Sequence, residues 1–148
     1  VGKKVIKEVR HTGIVITDME KSLAFYRDLL GLKIANDSIE EGDYIDSVLG
    51  LSDIRVHIVK MTAPDGSMVE LLQYHSHPRK APSSRQLCDI GCSHVAFTVD
   101  DIDKEYNRLL KSGVKFVTPP RVSPDGYAKV TFCLDPEGNF VELAEVLE

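Results

Sequence analysis

The chain is short of paired cysteines, of long apolar runs and of excess basic charge, and each shortage removes a class of function. Its three cysteines, Cys88, Cys92 and Cys133, are an odd number with no CxxC pair. A disulfide framework is therefore excluded, a reducing compartment is implied, and Cys88 and Cys92 read as linker residues rather than metal ligands. No apolar run approaches the roughly 18 residues needed to span a bilayer. "VGKKVIKEVR" also lacks the apolar stretch of a signal peptide, so a cytoplasmic location is expected. With 18 Lys and Arg against 23 Asp and Glu, the formal net charge is −5, and the lysines are scattered. Neither nucleic acid nor an anionic membrane surface is an expected partner.

What the chain does contain is a duplication. "HTGIVITDMEKSLAFYRDLLGLKIA" from His11 matches "HVAFTVDDIDKEYNRLLKSGVKFV" from His94, with His11 over His94 and Asp18 over Asp101, both separated by 83 positions. Farther on, Gly66 over Gly138 and Glu70 over Glu142 repeat at 72 positions. Each half reads as a strand with His, a helix, further strands, and a strand with Glu. A chain of 148 residues at 43% hydrophobic content suits one compact domain of this kind.

Local signals fill in the halves. "HTGIVIT" alternates as a strand, and Asp18 is placed to cap a helix whose apolar stripe is Leu23, Phe25, Tyr26, Leu29 and Leu30, ending at Gly31. A strand at 32–35, an irregular acidic stretch at 36–46, a strand at 54–61, the "PDG" turn and the Glu70 strand complete the first module. The acidic stretch reads as a solvated loop or as a wall over a cavity, with Tyr44 and Asp46 near a substrate. The second module repeats the plan: a strand at 93–99, a helix over 102–112, a strand near Phe116, a strand at 128–134, the turn "DPEG", and the Glu142 strand. Module 1 spans about 5–75, a Pro- and Ser-rich linker about 76–91, and module 2 about 92–147. The fold class is α+β: two βαβββ modules whose four-stranded sheets enclose a central cavity, with the helices outside.

Period-two alternation assigns the faces. If Ile14, Ile16, Val69, Leu71, Val95, Phe97, Val99, Val141 and Leu143 lie under the helices, then His11, Glu70, His94 and Glu142 all fall on the opposite side. The same alternation places Arg55, His57, Val59 and Met61 on that side, and Tyr127, Lys129, Thr131 and Cys133 as well. Arg55, His57, Tyr127 and Lys129 thus become candidate substrate-lining residues. A single His in a strand is ordinarily a structural residue, and a single carboxylate in an apolar setting is costly. Two His/Glu pairs related by duplication call for a shared explanation. A divalent metal ion, offset by two carboxylates and held by neutral imidazoles, supplies one.

"HTGIVITDMEKSLAFYRDLLGL" with "PDGSMVELLQY", and "SHVAFTVDDID" with "DPEGNFVEL", resemble the vicinal oxygen chelate superfamily. That superfamily includes glyoxalase I, methylmalonyl-CoA epimerase, extradiol dioxygenases, and fosfomycin and bleomycin resistance proteins. The resemblance implies metal ligands at His11, Glu70, His94 and Glu142, with Ni, Co, Mn, Fe or Zn as the ion. It also implies a homodimer and a small substrate that chelates the ion through two neighbouring oxygens. Bleomycin-binding members lack such ligands, which disfavours their mode of action.

"ELLQY" departs from the "ELTxN" context of glyoxalase I, and "GCSH" from the "GxHH" of methylmalonyl-CoA epimerases. Extradiol dioxygenases need only two His and one Glu. "YIDSVLGLSDIRVHIVKMTAPDGSMVELLQY" and "DIGCSHVAFTVDDID" are most similar to the branch containing valiolone-type cyclitol epimerases. The resemblance therefore implies proton transfer next to a carbonyl by an epimerase or isomerase, with Glu142 or Glu70 as both ligand and base. A glyoxalase I-type lactoylglutathione lyase, an extradiol dioxygenase and a non-catalytic small-molecule binding protein are the alternatives.

Overall fold

The computed structural model describes residues 6–77 and 84–148, so the middle of the expected linker lies outside the described residues. The chain divides between Ala81 and Pro82 into two compact units. The first runs β1 (Thr12–Val15), α1 (Met19–Leu23), β2 (Lys33–Glu41), α2 (Asp43–Leu49), β3 (Arg55–Thr62) and β4 (Met68–Tyr74). The second runs β5 (His94–Thr98), α3 (Ile102–Lys111), β6 (Arg121–Val122), β7 (Ala128–Leu134) and β8 (Phe140–Val146). Each unit has one four-stranded sheet, in the orders β1-β4-β3-β2 and β5-β8-β7-β6. In both, the first and last strands pair in parallel and the remaining neighbours are antiparallel.

Both helices that follow a His strand begin at the predicted caps. Asp18 accepts from the Lys21 N–H at 3.1 Å, and Asp101 from the Lys104 N–H at 3.0 Å. A second tie, invisible to local reading, comes from the last strand of each sheet. Gln73 Oε1 accepts from Met19 N at 3.0 Å and Glu145 Oε2 from Ile102 N at 2.9 Å, so residues 72 positions apart do the same work. Amide groups left without a partner in a helix's first turn are satisfied in this way.

α1 does not continue as a regular helix. It widens into a π-helical segment, Ala24–Leu29, where the Leu30 N–H reaches the Phe25 carbonyl at 2.9 Å. This register turns both Phe25 and Tyr26 inward, 3% and 0% exposed, with their rings edge to face at 4.9 Å. Gly31, at φ 80°, then lets the chain leave the helix in the left-handed region.

Two expectations are corrected here. The stretch 36–46 is not irregular: β2 runs through its first part and α2 begins within it. β2 is an edge strand, so its run of Asn, Asp, Ser and Glu shields the open edge of the sheet instead of marking a loop. A register shift between Ile34 and Asn36 further breaks the alternation that identifies a strand. In the second unit the residue expected to mark a strand, Phe116, makes an isolated bridge to Cys133, and the fourth strand is the two-residue β6.

Candidate functional site

The registers decide which side chains share a face. In the parallel β1–β4 pair, Gly13 is level with Glu70, which puts His11 and Glu70 on the same face one step apart. In β5–β8, Ala96 is level with Glu142, giving His94 and Glu142 the same relation. Val69, Leu71, Val141 and Leu143 fill the opposite, buried faces at 0 to 6% exposure. His11 Nε2 lies 3.8 Å from Glu70 Oε1, and His94 Nε2 lies 2.9 Å from Glu142 Oε2. Each half thus sets one imidazole nitrogen beside one carboxylate.

The turns that launch the two Glu strands are fastened by aspartates. Asp65 accepts from the Ser67 N–H and hydroxyl, which holds its carboxyl below the usual range. Asp135, 4% exposed, accepts from the N–H groups of Glu137 and Asn139 and from the Asn139 amide. Both are Asx-type turns, and they fix the phase in which β4 and β8 present their glutamates.

Alternation misplaced the third strand of each unit. Lys60 is level with Glu70 and Phe132 with Glu142, so Val56, Ile58 and Lys60 share the Glu70 face, and Val130 and Phe132 the Glu142 face. Arg55, His57, Val59 and Met61 are on the other face, as are Lys129, Thr131 and Cys133. Arg55 pairs with Glu41 at 2.8 Å, His57 bonds Asp37 at 2.6 Å and stacks near His75, and Lys129 pairs with Asp103 at the start of α3. Tyr127 stands just before β7, 63% exposed. The expected wall residues also differ. Tyr44 is 77% exposed, and Asp46 accepts from the N–H groups of Asp53 and Ile54, tying down the loop after α2.

Four neighbours of the pairs were missed. Lys60 Nζ is 3.8 Å from Glu70 Oε2. Tyr74, on the same face, packs against the cluster of Ile45, Ile54, Val56 and Ile58, and burial together with the Glu70 charge pushes its phenol up. Phe132 meets the His94 ring edge to face at 5.0 Å. Ser93 Oγ is hydrogen-bonded to His94 Nδ1 at 2.6 Å, leaving Nε2 toward Glu142. The separation of 72 that relates the glutamates also relates Lys60 to Phe132, and that signal was open to sequence reading.

The donor types suit a divalent cation: two imidazoles and two carboxylates, with His11 Nδ1 buried and without a hydrogen-bond partner. Among the described residues no three His, Cys, Asp or Glu converge to hold an ion, and each unit by itself contributes a pair.

Duplicated His and Glu strands in this topology are matched by a known family: the profile of the Glyoxalase/Bleomycin resistance protein/Dioxygenase superfamily fits residues 8–143. The chain belongs to that superfamily. YaeR of Escherichia coli (strain K12) is 36% identical over 140 residues, covering 95% of this chain and 97% of that protein. A lactoylglutathione lyase of Pseudomonas aeruginosa is 27% identical over 155 residues, covering 91% of this chain and 80% of that enzyme. The crystal structure of a glyoxalase family protein from Bacillus cereus superposes with a TM-score of 0.89 at 28% identity, covering 100% of this chain and 99% of that one. The α+β, paired-module architecture expected from the sequence is the one this superfamily member has.

Proposed function

We propose that this glyoxalase-superfamily chain is a divalent-metal-dependent enzyme that moves a proton next to a carbonyl, as an epimerase or isomerase. Its substrate is a small molecule with two neighbouring oxygens. The observation that carries the reading is the pair of pairs: His11 with Glu70 and His94 with Glu142, each on the sheet face opposite Val69 and Leu71 or Val141 and Leu143.

In this reading His11 and Glu70 of the first unit and His94 and Glu142 of the second would serve as ligands to Ni, Co, Mn, Fe or Zn, which would supply Lewis acidity toward a substrate oxygen. The chain's own residues do the rest. Glu142 or Glu70 takes the proton from the carbon beside the carbonyl and returns it, to the other face for epimerisation or to the adjacent carbon for isomerisation. Ser93 holds the His94 ring with Nε2 directed at the carboxylate. The apolar side chains of Val56, Ile58, Leu72 and Tyr74 on the Glu70 face restrict water near that carboxylate. The enzyme acts as a homodimer in the cytoplasm. Resemblance to valiolone-type epimerases supports the epimerase form. Similarity to lactoylglutathione lyase favours, as a second reading, a lyase acting on a thiol hemiacetal with the same groups.

The test is the metal content per chain of protein purified without a histidine tag or chelator, measured by elemental mass spectrometry. Near-stoichiometric metal is expected, with sharp loss in Glu142→Ala and in His94→Ala while both still fold. Full metal retention in both variants would overturn the ligand assignment. Incubation in deuterated water with α-hydroxyketones and glutathione hemithioacetals then separates the two readings by which substrates take up label.

A further inference from the structure

Within the second unit, the sheet face that carries His94 and Glu142 holds one further charge. Arg121 on β6 is level with Val130 on β7, and Val130 alternates onto the same face as Phe132, the residue level with Glu142. Arg121 therefore stands on the Glu142 face, two strands across and two residues along, its Cα about 12 Å from that of Glu142. The side chains between them on β7 and β8 are those of Val130, Phe132 and Ala144, and on the four strands this face holds no carboxylate besides Glu142. The Arg121 side chain is exposed, and among the described residues its guanidinium has no hydrogen bond or ion pair. Arg27, Arg55 and Arg108, by contrast, each pair with an acid. The backbone leading to Arg121 is fastened to β7. Thr131, 2% exposed, donates to the Thr118 carbonyl at 2.6 Å, the Val117 N–H reaches the Phe132 carbonyl at 2.9 Å, and Pro119 and Pro120 restrict the entry to β6. The fold does not require a cation at this place. In the first unit the counterpart of Val130, 72 positions earlier, is Ile58, and the residue level with it is the neutral Ser38.

An unpaired guanidinium, held across an apolar strip from an imidazole and a carboxylate, fits a ligand with two different ends. We propose that Arg121 is a specificity-determining residue that receives a carboxylate at the far end of the substrate while the reacting end meets His94 and Glu142. The inference rests on the proton-transfer reading of those residues and adds a substrate class to it: a small acid whose distal carboxylate is separated from the two neighbouring oxygens by a short carbon chain. Val130 and Phe132 give that chain an apolar seat. The planar guanidinium offers paired N–H donors that match both oxygens of a carboxylate. With a formal net charge of −5 the protein as a whole repels dianions, so selection of one has to come from a local cation.

The experiment compares 2-oxoadipate with 2-oxohexanoate, which share a keto-acid end and a carbon chain and differ in the distal carboxylate. Both are titrated by calorimetry into the full chain incubated with Co(II), as wild type, Arg121→Met and Arg121→Lys. The wild type is expected to bind 2-oxoadipate at least about tenfold more tightly than 2-oxohexanoate. Arg121→Met should keep the wild-type cobalt content and Tm and bind 2-oxohexanoate within about twofold, but lose the preference. Arg121→Lys, which retains the charge without the paired donors, should recover part of it. Equal affinity of the wild type for the two acids, binding of neither, or a preference undiminished in Arg121→Met would overturn the proposal, as would equal weakening of both acids in that variant. Cobalt content of the same samples is a separate readout. A wild type that takes up no cobalt would overturn the metal reading, whereas a loaded chain without the preference would overturn the role of Arg121 alone.

Discussion

Removing the Glu145 carboxylate tests how each glutamate strand is tied to its helix. Glu145 lies three residues after Glu142 on β8, on the opposite face, and accepts from the Ile102 amide at 2.9 Å. Ile102 is itself fully buried, so in Glu145→Ala its N–H loses its partner with little access to water. Leaving such a donor unsatisfied costs about 1–3 kcal/mol, and loss of a negative charge at a helix N-terminus adds about 0.3–1 kcal/mol. A central value of about 2 kcal/mol lowers Tm by roughly 4–8 °C for a chain of this size. Glu145→Gln should be much milder, at most about 1 kcal/mol, because Gln73 makes the same bond to Met19 N in the other unit with a neutral amide. Thermal unfolding followed by circular dichroism gives both numbers. Equal losses for Glu145→Gln and Glu145→Ala would show that charge, not the hydrogen bond, fastens the strand. A shift under about 1 °C for Glu145→Ala would refute the tie altogether.

Two further outcomes follow from burial. Cys133 is fully buried, and burial, with the nearby Asp135 charge, pushes its thiol from 9.0 up to about 12. Native protein should therefore expose two reactive thiols, the exposed Cys88 and Cys92, and a third only on unfolding, counted by mass after brief alkylation. Between pH 9 and about 12 the unfolded thiol ionises while the folded one keeps its proton, so the unfolded state binds fewer protons and stability falls as pH rises. Cys133→Ser, whose hydroxyl does not titrate there, should flatten that part of the denaturation-against-pH curve. Ile45→Ala removes the anchor by which α2 sits on Ile54, Val56 and Ile58 and should cost about 2–3 kcal/mol. Hydrogen exchange should then quicken over 43–49 while α3 keeps its protection, and uniform loss across both would contradict the local role.

The strands that bear the His and Glu pairs were legible because one face of each is continuously apolar. Val69 with Leu71 and Val141 with Leu143 set the phase, and the polar residues fell on the other side. β3 gave the wrong phase for a physical reason. It is apolar on both faces, Val59 and Met61 on one and Val56 and Ile58 on the other, because α2 covers the second face through Ile45. Alternation cannot choose between two apolar faces, and the choice is made by the turn between β3 and β4, which sets Thr62 level with Met68. His57 and Arg55 looked like site residues by the same error, whereas they serve the edge strand through Asp37 and Glu41. α2 itself was hidden because Gly42, Asp43 and Asp46 read as loop chemistry. Gly42 at φ 104° and Gly50 at φ 66° instead bound a short helix.

The parallel pairing of first and last strands bears on the order of events in the life of the chain. His11 and Glu70 are 59 positions apart and His94 and Glu142 are 48, and a parallel pair cannot be closed by a tight turn. Each pair therefore forms only when its most distant contact does, after the hairpins between have closed. β1 is a four-residue edge strand, so fraying of that short segment parts His11 from Glu70 while the β2–β3–β4 meander stays intact. The proximity of histidine to glutamate is thus a late and local indicator of a finished unit, formed last in folding and lost first on opening.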